Sequence, residues 1–154
     1  MRVLIVLTYY RPHTSGLTIY AERLAKGLAR RGHTVTILTS HYNRDLARRE
    51  SLDGVQIVRA PVLFRISKGV IMPTFGFLAW KLAAQTDVIS LHLPQFDAAG
   101  VALRGRLMKK PTVLTYHCDL QLPSGRFNRF VNGVVNVMNN LAGKFSHKVI
   151  AYTQ

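Results

Sequence analysis

Four residues of this sequence could act together on a polar ligand: Ser15, Gly16, His92 and His117. Each follows a short apolar run of the kind that forms a buried strand. Ser15 and Gly16 also precede a helical pattern, and the N-terminus of a helix binds anions through its N–H groups and its dipole. Glycine allows a phosphate to approach the backbone closely. A neutral histidine accepts or donates a hydrogen bond, so His92 and His117 could orient a ligand.

Simpler interpretations compete with these. The sequence has neither G-x-G-x-x-G nor G-x-x-x-x-G-K-[ST], so a dinucleotide site or a P-loop has no support. Gly16 could serve only as a small residue that packs a turn, and His117 could bond only to backbone. His117, Cys118 and Asp119 are adjacent, but neighbours on an extended chain point to opposite faces and do not converge on one ion. We expect no metal.

The first forty residues predict a strand, a helix and a second strand. Arg2–Thr8 is apolar throughout, as is typical of a strand buried on both faces. Either Ser15 or Thr14 can cap the following helix, and Gly32 can end it. Val35–Thr39 is the second strand, so the unit is a right-handed βαβ crossover with parallel strands. One face of the helix is apolar and carries Leu17, Tyr20, Leu24 and Leu28.

The rest of the chain continues the alternation of strands and helices. We interpret His41–Asp53 as a polar loop or frayed helix and Ala60–Met72 as a long connection. The fold class is therefore α/β, an open, mostly parallel, Rossmann-like sheet with helices on both faces, in one domain over residues 1–154. The predicted strands are Val55–Arg59, Asp87–Leu91, Thr112–Tyr116 and Lys148–Tyr152, and the predicted helices are Pro73–Gln85, Ala98–Met108 and Arg126–Ala142.

The predicted topology brings the candidate residues together. In open α/β sheets, ligands bind beyond the carboxyl ends of the strands, where the strand order reverses. In the order 3-2-1-4-5, the first, fourth and fifth strands are neighbours. The loops that carry Gly16, His92 and His117 would then line one crevice.

Composition limits the partners and the compartment. The chain carries 21 Lys and Arg against 7 Asp and Glu, a net charge of +14, which favours anionic partners over a merely solvated surface. A single cysteine, Cys118, excludes an intrachain disulfide framework and fits a reducing, cytoplasmic location. The apolar stretch Gly69–Ala84 is too short to span a bilayer, and the N-terminal run is too short for a signal peptide.

Four segments carry a resemblance to a known family: LARRGHTVTILTS at Leu28–Ser40, DVISLHLP at Asp87–Pro94, PTVLTYHCD at Pro111–Asp119 and SHKVIAYTQ at Ser146–Gln154. In this order and spacing they resemble the N-terminal domain of a family 4 (group 1) glycosyltransferase of the GT-B fold. The resemblance covers nearly the whole chain. It implies a retaining, hexosyltransferase-type enzyme of cell envelope glycan biosynthesis that uses a nucleotide sugar as co-substrate, with no cofactor or metal.

The resemblance also implies roles for individual residues. In the family, a Gly-Gly pair contacts the donor diphosphate. Here the pair is Ser15-Gly16, so Gly16 matches and Ser15 departs from the pattern. His117 corresponds to a histidine beside the donor sugar that is important for transfer, which makes it the catalytic candidate. The family places most donor contacts in a second, C-terminal domain that is absent from this chain, so we expect the isolated 154 residues to be inactive.

The acceptor, a glycan or a lipid-linked sugar, is expected on this domain. Candidates for its site are His92, Asp119, Arg65 and Lys68. The basic, apolar segment Arg59–Pro73 is also the better candidate for contact with an anionic membrane surface, on the inner face of the plasma membrane. The helix Arg126–Ala142 is a weaker one, because its polar face is mostly asparagine where surface-bound helices are usually lysine-rich.

Two other functions fit parts of the sequence. A basic α/β module could bind nucleic acid or an anionic membrane without catalysis, but the chain has no RNA-recognition motif and no helix-turn-helix, so nucleic acid is disfavoured. A Rossmann oxidoreductase would need an acidic residue at the end of the second strand. Thr39, Ser40 and His41 stand there instead.

Overall fold

The computed structural model describes residues 1–66, 69–95, 97–117 and 126–151. Within these residues, strands and helices alternate along the chain as predicted, except that five strands follow one another between the first and second helices. The strands are β1 (Arg2–Val6), β2 (Thr34–His41), β3 (Arg49–Leu52), β4 (Val55–Pro61), β5 (Phe64–Ile66), β6 (Gly69–Ile71), β7 (Val88–Leu93), β8 (Thr112–Tyr116) and β9 (Lys148–Ala151). The helices are α1 (Gly16–Arg30), α2 (Phe75–Ala84), α3 (Ala98–Leu107) and α4 (Arg126–Phe145).

The main sheet has seven strands in the order β3-β4-β2-β1-β7-β8-β9. Every neighbouring pair is parallel except β3 with β4. The first five strands predicted from the sequence therefore occur in the expected order 3-2-1-4-5, with the switch point between β1 and β7, and the sixth, β9, lies at the edge of the sheet. An α/β fold with a mostly parallel, Rossmann-like sheet is confirmed.

The two faces of the sheet pack against different helices. On β1, Leu4 and Val6 point into an apolar cluster that includes residues of α2, α3 and α4. Val3, Ile5 and Leu7 point the other way, into a cluster completed by α1. Because side chains alternate along a strand, the two clusters lie on opposite faces, and helices cover both. The sheet is buried between them, which explains its near-continuous apolar strands.

Helix α1 begins and ends as its sequence predicts. Of the two candidate caps, Ser15 is the one used, and its Oγ accepts a hydrogen bond of 3.2 Å from the N–H of Thr18. At the other end, Gly32 has φ +80 and its N–H donates to the carbonyl of Ala29. A left-handed residue at this position is the usual end of a helix, and glycine adopts it without strain.

The interpretation of His41–Asp53 as a loop is wrong at its C-terminal end. Residues Arg49–Leu52 form the edge strand β3, antiparallel to β4. The connecting residues Asp53 and Gly54 have φ 53 and φ 78. An Asp-Gly pair is typical of a two-residue turn with both φ values positive, so the sequence did contain a signal for this hairpin. Strand β3 itself is polar, so its residues show no strand pattern.

The segment after β4 also differs from the prediction. Ala60–Met72 is not an unstructured connection, because it includes the antiparallel hairpin of β5 and β6. Arg59 does not belong to a basic surface, since it lies in β4 and is only 2% exposed. Arg65 is exposed on β5. Lys68 lies outside the described residues.

In α4 the buried stripe is displaced from the predicted one. Val134, expected on the apolar face, is 40% exposed, whereas Val135 and Ala142 are buried. Met138 and Leu141, also predicted on that face, pack against the core. The helix continues to Phe145 rather than ending at Ala142. Its apolar positions form a stripe close to half the circumference of the helix, so the sequence pattern alone did not fix which of them face the sheet.

Candidate functional site

The loop between β1 and α1 is held at several points. Tyr10 is 2% exposed within the core, and burial together with the negative charge of Glu22 raises its pKa to about 12. The guanidinium of Arg11 lies 2.6 Å from the Glu22 carboxylate. The carbonyl of Arg11 accepts a hydrogen bond of 3.1 Å from Arg59. The loop that leads to Gly16 is therefore fixed by the protein itself.

The first turn of α1 is open. The Ser15 cap takes the N–H of Thr18, and the N–H groups of Gly16 and Leu17 belong to the part of a helix that has no intrahelical acceptor. A Cβ placed on Gly16 would meet no atom within 4 Å, and the backbone there does not have a positive φ. Packing and conformation in this structure do not require glycine. The N-terminus of a helix is also where an anion interacts favourably with the helix dipole.

His92 and His117 are hydrogen-bonded neighbours. His92 Nδ1 lies 3.1 Å from His117 Nε2, and the rings are stacked with their centroids 5.4 Å apart. The other nitrogen of His92, Nε2, lies 3.1 Å from Oγ of Ser90. Because β7 and β8 are adjacent and parallel, alternation places all three side chains on the face of the sheet that α1 covers.

Tyr20 joins the histidine pair to the helix. Its ring meets that of His117 edge-on at 5.0 Å and that of His92 at 5.7 Å. Tyr20 lies four residues after Gly16, on the same side of α1 and one turn further along. His117 is therefore beside the first turns of α1. Through Tyr20, the loops that carry Gly16, His92 and His117 lie at the same edge of the sheet, where the predicted strand order puts them.

Both histidines are neutral at pH 7. Complete burial lowers the pKa of His92 to about 3, and the nearby His117 adds to this effect. Burial also lowers the pKa of His117. The pair therefore acts through hydrogen bonds rather than through positive charge. Since none of the surface of His92 is exposed, its ring is not accessible to a sugar acceptor in this structure.

Hydroxyl groups tie the loops of the crevice together. Thr8 Oγ1 donates to the carbonyl of Pro94 at 3.1 Å, which links the ends of β1 and β7. The carbonyl of Thr8 accepts hydrogen bonds from the hydroxyls of Thr39 and Ser40 at 3.0 and 2.6 Å. The end of β2, where a dinucleotide site would carry an acidic residue, is thus used for structure.

Arg65, the remaining candidate that the structure describes, is not brought to the histidine pair. The guanidinium of Arg65 donates to the carbonyl of Tyr42, which follows β2. In the sheet, β2 is three strands away from β8, about 14 Å. Arg65 therefore lies at the far side of the crevice from His117. Asp119 and Lys68 lie outside the described residues.

Sequence reasoning missed Ser90 and Tyr20, although both had a signal. Ser90 is two residues before His92, which places the two side chains on one face of a strand. Tyr20 was assigned to the core face of α1, but its spacing from Gly16 also fits a crevice residue. Both contacts join elements distant in sequence, so periodicity within one element did not reveal them.

A further cavity lies apart from the crevice. It has a volume of about 500 Å³, and its lining includes Leu93, Leu114 and Val149 of the last three strands together with three asparagines of α4. These strand residues point to the face opposite the histidines. Among the residues that the structure describes, no three His, Cys, Asp or Glu side chains are placed to hold a metal ion. In the same residues, no helix has both the length and the apolar composition to cross a bilayer.

These features define an α/β protein with a Rossmann-like sheet and a hydrogen-bonded pair of neutral histidines at the carboxyl ends of β7 and β8. The sequence profile described as Glycosyltransferase Family 4 matches residues 14–154. This chain belongs to glycosyltransferase family 4. Its domain type is thus that of a sugar-transferring enzyme.

The other comparisons are distant. No curated protein matches this chain. Among solved structures, the phenylacrylic acid decarboxylase from Aquifex aeolicus is similar to it at 9% sequence identity and a TM-score of 0.49, over 97% of this chain and 80% of that one.

Proposed function

We propose that this chain is the acceptor-side domain of a retaining glycosyltransferase, which moves a hexose from a nucleotide-sugar donor to a glycan or lipid-linked acceptor. The observation that carries the proposal is the position of neutral His117 beside the open first turn of α1, where Tyr20 contacts both histidines. Membership of the family supports sugar transfer in general. The crevice supports the donor chemistry.

The two parts of the crevice fit the two parts of the donor. Glycosyl transfer passes through an oxocarbenium-like state, while negative charge grows on the departing diphosphate. The N–H groups at Gly16 and the helix dipole would stabilise that charge from a fixed position. His117 would hydrogen-bond a hydroxyl of the sugar and hold its ring in place. In this proposal a second domain supplies most other donor contacts, and no metal or cofactor is needed.

The opposite side of the crevice offers a surface for the acceptor. Tyr9 and His13 are stacked at 4.9 Å, and Tyr42 meets Tyr9 edge-on at 5.6 Å. Arg65 is bonded to the backbone of Tyr42. Aromatic rings beside an arginine suit a sugar or lipid headgroup that carries a phosphate.

Contact with an anionic membrane would bring a lipid-linked acceptor to this surface. Leu63 is 68% exposed and Phe64 49% exposed, next to Arg65. Phe77 and Trp80 of α2 are also exposed. Exposed apolar side chains beside basic ones are typical of proteins that bind an anionic bilayer surface. The enzyme would act in the cytoplasm, attached reversibly to the inner face of the plasma membrane, in cell envelope glycan synthesis.

Gly16→Val tests the donor site. A Cβ at Gly16 meets no atom within 4 Å, so the fold should keep its stability, whereas the branched side chain would hinder the approach of a diphosphate to the backbone. In the native protein, with UDP-glucose and GDP-mannose as donor probes, we expect at least a tenfold loss of kcat/KM for the donor that is used. The matched control is Gly27→Val in the same helix, where a Cβ also meets nothing within 4 Å.

Equal activity of the two variants would remove the diphosphate role of Gly16. If the native protein neither binds nor turns over any nucleotide sugar, the catalytic proposal fails. Binding to nucleic acid with a steep salt dependence, without any response to donor, would then support the basic binding module suggested by the net charge of +14.

A further inference from the structure

Helix α4 turns a row of asparagines toward the sheet. Asn136, Asn139, Asn140 and Gly143 are three, one and three residues apart, so they share one face of the helix. All four line the cavity of about 500 Å³ between α4 and the last three strands, which we call the α4 cavity. The face of a helix that looks toward a sheet is ordinarily apolar, so this polar row requires an explanation.

Asn139 occupies a position where packing favours an apolar side chain. Val135 lies one turn before it and Ala142 one turn after it, and these two residues are 7% and 0% exposed. Between them, Oδ1 of Asn139 is buried and has no hydrogen-bond partner in the described part of the chain. A buried amide oxygen without a donor costs free energy. The amide therefore does not serve the packing of α4.

The lining of the α4 cavity suits a neutral ligand that carries hydroxyl groups. Each asparagine amide has two N–H donors and one carbonyl acceptor, and neighbouring hydroxyls of a sugar offer the complementary acceptors and donors. None of the described lining residues is charged, so an ionised phosphate or carboxylate would find no counter-charge there. The ring of Tyr116, with Leu93, Leu114 and Val149, supplies an apolar surface for the C–H groups of a sugar ring.

We propose that the α4 cavity is a second ligand site, which binds a neutral sugar unit of a glycan. Its volume of about 500 Å³ lies within the range of small-molecule sites, about 300–1,000 Å³. The site goes beyond the donor crevice of the proposed function, and binding there does not depend on sugar transfer.

The α4 cavity and the histidine pair lie back to back. Leu93 and Tyr116 are the last residues of β7 and β8, and they are the chain neighbours of His92 and His117. Consecutive residues of a strand point to opposite faces of a sheet, so the sheet separates the cavity from the crevice. Both sites lie at the carboxyl ends of these strands. A glycan held in the cavity would therefore stay close to the crevice without competing with the donor.

The asparagine side chains report binding directly. In ¹⁵N-labelled native protein, the methyl glycosides of glucose, galactose and mannose serve as neutral probes. We expect at least one of them to shift the side-chain amide signals of Asn136, Asn139 and Asn140. The shifts should be the same at low and at high salt, because the contact involves no charge. If none of the three probes shifts these signals, the proposal is wrong.

Two glycine variants of α4 test the location of binding. A Cβ at Gly143 or at Gly133 meets no atom within 4 Å, so Gly143→Leu and Gly133→Leu make the same change in one helix. Gly143 lines the α4 cavity, whereas Gly133 is exposed. Gly143→Leu should lower the affinity for the probe by about tenfold or more, and Gly133→Leu should leave it unchanged. Equal affinities of the two variants would overturn the proposal.

Asn139→Leu separates a ligand site from a structural role. Leucine keeps the branched shape of the side chain and completes the buried stripe, and Oδ1 has no hydrogen bond to lose. We expect the melting temperature to stay the same or to rise, while probe binding is lost. A lower melting temperature with undiminished probe binding would show that the amide stabilises the fold, and no ligand would then be needed to explain it.

A variant of the proposed acceptor surface keeps the two proposals distinct. Tyr42→Ala removes a ring from that surface and should leave the asparagine shifts unchanged; their loss would place the probe at Tyr42 and overturn the α4 site. Asparagine shifts in a protein that neither binds nor turns over a nucleotide sugar would support the α4 site and remove the proposed function. Donor turnover without asparagine shifts would do the reverse.

Discussion

Arg59 is buried in β4 and forms an ion pair with Glu50 of the neighbouring strand β3. Its side chain is 1% exposed, whereas that of Glu50 is 38% exposed. The same guanidinium donates to the carbonyl of Ala47 at 2.7 Å and to that of Arg11 at 3.1 Å. One arginine thus connects the edge hairpin to the loop that leads into the candidate donor site.

Arg59→Met should destabilise the protein by about 3 kcal/mol, because it leaves two carbonyls and a carboxylate without their donor. Urea unfolding at pH 7 measures this change. Arg44→Met is the control, since Arg44 is exposed in the same region and should change the unfolding free energy by less than about 0.5 kcal/mol. Similar unfolding free energies for the two variants would mean that the Arg59–Glu50 ion pair does not stabilise the fold.

Gly105 of α3 marks a close approach between helix and sheet. A Cβ there would lie 2.3 Å from Oγ1 of buried Thr112 and 3.1 Å from Cδ1 of Ile89. Gly105→Ala should therefore destabilise by about 1–3 kcal/mol through overpacking. Gly27→Ala in α1, where a Cβ meets nothing within 4 Å, should instead stabilise by about 0.4–1 kcal/mol. Thermal unfolding of both variants compares them, and a stable Gly105→Ala protein would contradict the packing argument.

The central βαβ pattern was predictable because each step has a strong local signal. The apolar run of β1, the cap at Ser15 and the left-handed Gly32 each follow from a few neighbouring residues. The strand order then follows from general rules for parallel sheets. Together they predict from the sequence at which edge of the sheet the candidate residues lie.

The environment of individual side chains was not predictable in the same way. The sequence predicts Arg59 at a basic surface, because its partner Glu50 lies in a polar strand that shows no strand pattern. The complete burial of His92 depends on Tyr20, a residue of another element. Packing between distant parts of the chain determines such contacts. The periodicity of the sequence within one element carries no information about them.

His92 should make stability depend on pH. Its pKa is about 3 in the folded protein and about 6.5 in an unfolded chain. Between these values the unfolded state binds the additional proton, so the unfolding free energy falls as pH is lowered, by about 1.4 kcal/mol per pH unit. Between pH 6.5 and pH 4.5 we expect a loss of about 2–3 kcal/mol from this group.

Urea unfolding of the wild type and of His92→Asn over that range isolates the effect. Lys26 lowers the pKa of Glu22, and Arg2 lowers that of Asp87. The stability that these carboxylates contribute is lost at lower pH, and it is lost equally in both proteins. The variant should therefore have the shallower dependence. Parallel curves would show that His92 does not stay neutral in the folded state.

The β5–β6 hairpin should mediate attachment to an anionic membrane. Leu63 and Phe64 are exposed beside Arg65, so a bilayer surface would bury apolar area and neutralise charge at the same place. In sedimentation with vesicles of anionic and neutral phospholipid, Leu63→Ser with Phe64→Ser should lower the bound fraction at least fivefold. Leu107→Ser is the matched control, because Leu107 is 64% exposed at the end of α3. Binding that does not depend on anionic lipid would exclude this hairpin as the membrane contact, and so would an equal loss of binding in the Leu107→Ser control. The acceptor would then have to reach the crevice from solution.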